Sequence, residues 1–442
     1  MKPSTLRLTL VCLALPLVTL PPEVMARDPF SLTGEGTTSS AVAGGSSFPD
    51  ILESGIRAES QFRSLDGQAA LYTLRYADVD NAINFRINAA GTEAEFVIPI
   101  TGFSRTFAGS NRDDLEDQLV DFLKSDGADV YRDFMDAINR LSTVAVTDGN
   151  PSASTATITT SVFLDNAFDA GGDEWSTDRA GAGENKVQQF GAYPDFSVIS
   201  AAGFDGSSWG YEVPLPRGKF GDSRFGYKMS MPLRYRDIEG AKSGSAGVSV
   251  AFPIQIKKPV MEDVPTVDGD GEGMQKLYRP RKNGLVWRLT PSASGIGAGS
   301  VDFAAGSLMY VGALSNSVEW KQNRVRATLG NQVSVIEGVS DLSIQGYDIG
   351  TEISQQITKT GVNLAWSPSA SHTVAAFGIF TSFLQDAAVP EFWTWAMEYS
   401  YRPSLLQEDG LNPIFTLRGY ADLADDQNYE AYGVRFGAGF VF

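Results

Sequence analysis

Cysteine and histidine are nearly absent from this chain: its 442 residues hold one of each, Cys12 and His372. Without thiols there is no disulfide framework, no thiolate metal site and no cysteine nucleophile. A single histidine leaves little for base-assisted hydrolysis. His372 lies beside the turn Ser367-Pro-Ser-Ala370, with no Asp or Asn nearby in sequence to orient it, and reads as an exposed turn residue. Basic residues are also scarce, Lys+Arg 35 against Asp+Glu 53, a formal charge of −18 that repels nucleic-acid phosphates. No Gly-Lys-Ser/Thr phosphate loop and no dinucleotide glycine fingerprint occurs. Gly221-Asp-Ser223 lacks the residues that follow the nucleophile of a Gly-Asp-Ser esterase. Asp268-Gly-Asp-Gly-Glu272 reads as an acidic surface loop in preference to a calcium site. The expectation is a protein that is not an enzyme and needs no metal or cofactor.

Long apolar runs are missing too. The one candidate, Leu8 to Leu20, is shorter than the ~20 residues a spanning helix requires. It follows Lys2 and Arg7 and precedes Val24-Met25-Ala26, the layout of a secretory signal cleaved after Ala26. Cys12 falls inside that run, so the mature chain would carry no thiol.

What the chain has in quantity is aromatic residues, 11%, and glycine, 45 residues, at an unremarkable mean hydropathy of −0.11. Residues 27–66 are rich in Gly, Ser, Thr and Ala and read as a flexible tether, with a short helix conceivable at 51–62. Residues 67–148 read as a small soluble α+β module. Ala70–Tyr76, the alternation of Ile83, Phe85 and Ile87, and that of Phe96, Ile98 and Ile100 predict strands. Ser110-Asn111 then caps a helix presenting Leu115, Leu119, Phe122 and Leu123, and Gly127 takes the left-handed stop position. A second helix aligns Val130, Phe134, Ile138 and Leu141. The aspartates on both outer faces suit solvent better than a metal. Residues 149–194 form a Ser/Thr- and Gly/Asp-rich joint, with a strand conceivable at 155–164.

From about residue 195 the chain is strands and turns. In 224–236, Phe225, Tyr227, Met229, Met231, Leu233 and Tyr235 alternate with Arg224, Gly226, Lys228, Ser230, Pro232, Arg234 and Arg236. The stretches 247–257, 393–402 and 415–423 repeat the pattern, and 209–215, 285–289, 318–329, 358–366 and 375–383 follow it less regularly. These strands run ~9–13 residues, the length of a tilted membrane strand, where soluble strands are more often about 5–6. Pro232 and Pro253 should mark bulges or irregular ladder positions.

The last stretch, Glu430 to Phe442, sets Tyr432, Val434, Phe436, Ala438, Phe440 and Phe442 on one face and Ala431, Gly433, Arg435, Gly437, Gly439 and Val441 on the other. This ending resembles the terminal strand of bacterial outer-membrane β-barrel proteins, though Ala438 is small for its place. The resemblance is architectural and covers about 196–442, and a solitary autotransporter-like barrel is one form it takes. It implies an antiparallel transmembrane barrel of about twelve strands, ten to fourteen, placed in the outer membrane among its lipids. It also implies assembly by the barrel-insertion machinery, with Phe442 and Phe440 as the assembly signal. With the C-terminus periplasmic, the turn at 367–370 falls on the periplasmic side and the acidic stretch 261–273 outside.

Alternation then turns Arg224, Lys228, Arg234, Arg236, Arg402, Arg418 and Arg435 to the lumen, with Lys257 and Arg288, against Glu398 and Asp422. Two readings stay open: a basic pore for small anionic solutes, or an arginine ladder paired with carboxylates that fills the barrel. The expected function is a pore of the first kind. The alternatives are a solitary autotransporter-type translocator and a structural or adhesive barrel.

Overall fold

The computed structural model describes residues 27–441 except 57–60, 125–126, 145–158, 161–162, 169–188, 221–223, 258–260, 268–273, 281–282, 304, 340–342, 345–346, 349–353, 370, 386, 402–411 and 425–428. The segment read as a secretory signal, Cys12, the Gly221-Asp-Ser223 and Asp268–Glu272 motifs, Arg402 and Phe442 lie outside the described residues.

The N-terminal module is a six-stranded antiparallel sheet in the order β2-β1-β3-β4-β5-β6. Its strands are β1 Phe30–Gly36, β2 Ser40–Gly45, β3 Ala70–Tyr76, β4 Val79–Ile87, β5 Glu93–Ile98 and β6 Phe103–Ala108, with helices α1 Phe48–Ile56, α2 Arg112–Lys124 and α3 Ala128–Leu141. Alternation buries Phe30 and Leu32, then Tyr72, Leu74 and Tyr76, then Ile83, Phe85 and Ile87, and the helices add Leu115, Leu119, Phe122, Phe134 and Ile138. Two expectations fail here. Residues 27–66 are not a tether: β1 pairs along its length with β3, and Phe30 and Leu32 are fully buried. Small residues in this stretch serve close packing, since a Cβ on Gly34 would lie 2.5 Å from Leu65. Nor is Gly127 left-handed. Its φ is −95°, and its N–H donates to the Phe122 carbonyl at 2.6 Å, an approach that leaves a Cβ only 2.7 Å from that oxygen. The α2 start is capped: Asn111 Oδ1 accepts from the Asp114 N–H at 2.9 Å, and the Ser110 N–H donates to Asp114 Oδ2 at 2.7 Å. The Ser110 N–H and the Gln118 side-chain amide, both donating to it, hold the Asp114 carboxyl below its ordinary pKa.

Next in sequence after a single helical turn, Leu164–Phe168, comes the barrel. Its strands are β7 Gln189–Ala201, β8 Phe204–Lys219, β9 Gly226–Ile238, β10 Ala241–Ala251 continued by β11 Ile254–Lys257, then a peripheral hairpin of β12 Met261–Val267 and β13 Met274–Pro280. They continue as β14 Asn283–Ser300, β15 Ala305–Gln322, β16 Val325–Val339, the short pair β17 Ser343–Ile344 and β18 Tyr347–Asp348, β19 Ser354–Trp366, β20 His372–Phe383, β21 Glu391–Tyr401, β22 Asn412–Ala424 and β23 Tyr429–Val441. Neighbours in sequence pair antiparallel, β23 pairs with β7, and β10 pairs with β14, which closes a twelve-stranded barrel. Traced strand by strand from Leu285, the pairing returns to β14 at Gly299, so the strands are strongly sheared and tilt by roughly 35–45°.

The two sides of the wall differ as the alternation predicts. Trp393, Trp395, Met397, Tyr399 and Tyr401 are exposed on the exterior of β21, while Phe392, Thr394, Ala396, Glu398 and Ser400 are buried inside. The same holds for Phe415 and Leu417 on β22 and Phe436 on β23. An exterior of exposed tryptophan, tyrosine and leucine around a polar interior is the reverse of a soluble barrel. Both strand prolines interrupt the ladder. Pro253 separates β10 from β11, with its carbonyl accepting from the Gly226 N–H at 2.9 Å, and the β9–β10 pairing skips the positions facing Pro232.

Two boundaries and one placement need correction. The barrel begins at Gln189. The stretch 318–329 is two strands, divided by a two-residue turn in which Asn323 has φ 52°. That extra turn changes the parity of every strand before it. As a result β12, the described part of the acidic stretch 261–273, belongs to the same end of the barrel as the end of β23 and the turn after Trp366, not to the opposite end.

The module caps the other end, where the connections after β7, β9 and β14 lie. Two of these are tight hairpins, Ala202-Gly203 (φ 51° and 82°) and Glu239-Gly240 (φ 47° and 86°). Phe303, 1% exposed, inserts between Phe30 and Tyr76 with ring centroids 5.3 and 6.2 Å away. Tyr76 Oη donates to the Phe303 carbonyl at 2.8 Å, and the Phe48 N–H to the Asp302 carbonyl at 2.7 Å. Phe204, Ile238 and Ala241 join the same apolar cluster.

Candidate functional site

The lumen is where inward alternation collects the polar side chains of every strand, so any passage or lock must be built there. Arg236 and Arg418 are buried and face inward, and Arg234 and Arg435 face inward partly buried. Arg224 does not reach the lumen. It is exposed at the rim ahead of β9, donating to the Ile256 carbonyl at 3.2 Å. Lys228 on β9 is half-buried, and Lys257 is exposed at the end of β11. Phe440 lies in β23, opposite Pro413 and Phe190.

The inward bases meet acids. Arg418 donates twice to Glu398 Oε2, at 2.9 and 2.6 Å, from directly opposite positions on β22 and β21. Arg435 donates to Glu212 at 2.6 Å across β7, Arg288 to Glu319 at 3.3 Å, and Arg234 stands 3.9 Å from Asp195. Tyr420 Oη donates to the same Asp195 carboxylate at 2.8 Å, and Thr394 to Asp422 at 2.5 Å. Arg234, Arg288, Arg418 and Arg435 on the lining thus each stand against a carboxylate. Sequence reasoning noted Glu398 and Asp422 but missed Asp195, Glu212 and Glu319. Their signal was available: each sits on the inward register of a strand whose apolar face is evident.

Sequence reasoning also missed the lumen's content. The chain between module and barrel contributes Thr159, Thr160 and the turn Leu164–Phe168, buried against the inner wall in place of a strand at 155–164. Phe163, Leu164, Ala167 and Phe168 form an apolar cluster with Phe377, Ile379 and Ala396 of β20 and β21. Two glycines make room for it. A Cβ on Gly330 would stand 2.7 Å from that of Ala167, and one on Gly361 2.7 Å from the Phe168 ring. Above them, Lys359 Nζ, fully buried, donates to Thr160 Oγ1 at 2.8 Å and to Thr381 at 3.2 Å, while Gln332 donates to the Thr159 carbonyl at 3.3 Å.

These contacts have a direction. Gln332 and Lys359 face each other across β16 and β19, and so do Gly330 and Gly361, two positions nearer the C-terminal end. Thr159 and Thr160 thus lie closer to the module, and Ala167 and Phe168 closer to the end where β7 begins. Thus Val144 packs in the module's core at one mouth, the described residues between 159 and 168 lie in the lumen, and β7 starts at the other mouth.

His372 stands on the exterior at the start of β20, its Nδ1 2.6 Å from Tyr399 Oη and its ring stacked on Tyr401. Among the described residues no cluster of His, Cys, Asp or Glu is arranged to hold a metal ion.

No family model matches the chain, and no curated protein matches it either. Solved structures similar in shape include the translocator domain of the autotransporter NalP from Neisseria meningitidis, with 11% identity, TM-score 0.40, and coverage of 67% of this chain and 100% of that one. The beta domain of the Bordetella autotransporter Brka has 10% identity, TM-score 0.38, and coverage of 59% and 99%. An outer membrane channel from Pseudomonas putida F1 has 8% identity, TM-score 0.40, and coverage of 60% and 98%. Barrel closure and lumen occupancy rest on the register and contacts above.

Proposed function

We propose that this chain is an outer-membrane barrel of the solitary autotransporter type, which carries its own small module to the cell surface. In this reading it is exported by a signal cleaved after Ala26 and inserted in outer-membrane lipid by the barrel-insertion machinery. Phe440 and Phe442 serve as the assembly signal, and the C-terminal end faces the periplasm. The observation that carries the reading is the lumenal segment Thr159–Phe168, which links a module at one mouth to a first strand starting at the other. A barrel whose interior holds its own chain is suited to holding an exported domain outside.

The rival reading, a basic passage for small anionic solutes, is weakened by the Arg418–Glu398 and Arg435–Glu212 pairs, which set two of the lining arginines against carboxylates. Protease added to intact cells tests the choice. Cleavage between Asn111 and Ser142, with the barrel protected, is the expected result, and a module protected until the outer membrane is opened would contradict it. In planar bilayers the protein should conduct little, and an open anion-selective current would favour the rival.

A further inference from the structure

The exterior wall carries exposed aromatics over β14 to β19 as elsewhere, among them Trp287, Tyr310, Trp320 and Trp366, but polar residues interrupt it on three adjacent strands. On β15 the exterior position between exposed Trp320 and exposed Tyr310 is occupied by Asn316. Asn331 of β16 is directly opposite it, and Thr360 of β19 is directly opposite Asn331. The three form a polar row flanked by exposed Leu314, Leu329, Val333 and Val362. Within the chain, Trp287 Nε1 donates to Asn316 Oδ1 at 2.6 Å, and Thr360 Oγ1 to Asn331 Oδ1 at 3.0 Å. Both carboxamide NH₂ groups are left without a partner among the described residues. If the barrel spans the membrane, as proposed above, these donors face hydrocarbon near mid-depth, where lipid offers no acceptor and each unmet N–H is costly.

On the same wall Gly312 of β15, two exterior positions along from Asn316, opens outward, and a Cβ there would touch nothing in this chain. No contact within the chain demands glycine there, whereas close approach of another wall does. A partner must present hydrogen-bond acceptors at the same depth, and a second copy does so by symmetry. Each asparagine oxygen accepts one bond within the chain and has a second lone pair free for an NH₂ across a two-fold axis.

We infer that two copies of this chain associate in the membrane through the β14–β19 wall, with the Asn316–Asn331–Thr360 row at the centre of a two-fold contact. The inference rests on the membrane reading, and its test separates the two. In full-length protein with Cys12 removed by signal cleavage or replaced, Asn331→Cys places a thiol on the row. Phe436→Cys places one on exposed wall five strands further round the barrel. Membranes are treated with a lipid-permeant oxidant after heat-dependent gel mobility has established that each variant is folded. Asn331→Cys should convert to a disulfide-linked dimer and Phe436→Cys should remain monomeric. Replacing Asn316 by Leu in the Asn331→Cys chain should lower the dimer yield. Absence of dimer from folded, membrane-embedded Asn331→Cys overturns the inference while leaving the membrane reading intact, as does equal dimer from both positions. An adduct with a different protein also overturns it. Recovery of the wild-type chain in the soluble fraction overturns both.

Discussion

Arg418 and Glu398 show what single side chains do in this wall. Directly opposite on adjacent strands, buried, and joined by two hydrogen bonds from one guanidinium to one carboxylate oxygen, they satisfy each other in a space from which their own strands exclude water. Breaking such a pair by removing one partner leaves a buried charge alone, a penalty of about 3–5 kcal/mol, whereas an apolar replacement of both is often tolerated. Arg418→Met should therefore lower the temperature at which the folded band is lost on gels. Arg418→Met with Glu398→Met should recover much of the loss. Equal losses in the single and double variants would contradict the account. The bases of such pairs are legible from alternation alone, because arginine opposite tryptophan on a strand has one place to go. Their neutralisation is not, since Arg435 and Glu212 are brought together only when β23 meets β7 and closes the circle.

At the scale of elements, the turn Val301–Phe303 works as a wedge between barrel and module. Phe303 fills the space between Phe30 and Tyr76, and the backbone around it accepts hydrogen bonds from Tyr76 and Phe48. Emptying such a site costs about 3–5 kcal/mol for a buried phenylalanine cut to alanine. Phe303→Ala should leave barrel mobility on gels unchanged while accelerating amide exchange and proteolysis in β1 and α1. Unchanged protection there would mean that the module is not held by this wedge. Elements were legible in proportion to how far their neighbours repeat them. The long strands β9, β21, β22 and β23 and helices α2 and α3 announce themselves through clean periods. Strand β1 escaped because Gly34, Gly36 and a run of small residues hide a pattern whose buried members are only Phe30 and Leu32. The division of 318–329 escaped because Asn323 alone signals it, and that one residue decides which mouth β12 adjoins.

For the molecule as a whole, the account turns on the path of the chain between module and barrel. The low-complexity character of 149–188 concealed it: Phe163, Leu164 and Phe168 are too few and too closely spaced to show a period, and their burial follows from Gly330 and Gly361, far away in sequence. With Cys12 replaced the chain is otherwise free of cysteine, and a pair introduced by Ala167→Cys and Gly330→Cys tests the path directly in membrane-assembled protein, since a Cβ on Gly330 would lie 2.7 Å from that of Ala167, within disulfide reach once the segment eases back by about 1 Å. The threaded lumen predicts a spontaneous intramolecular disulfide that shifts gel mobility and blocks alkylation of both thiols. Two thiols that stay reduced and are alkylated freely in the folded barrel would show that the chain takes another route, and the reading of this protein as a barrel holding its own exported module would fall with it.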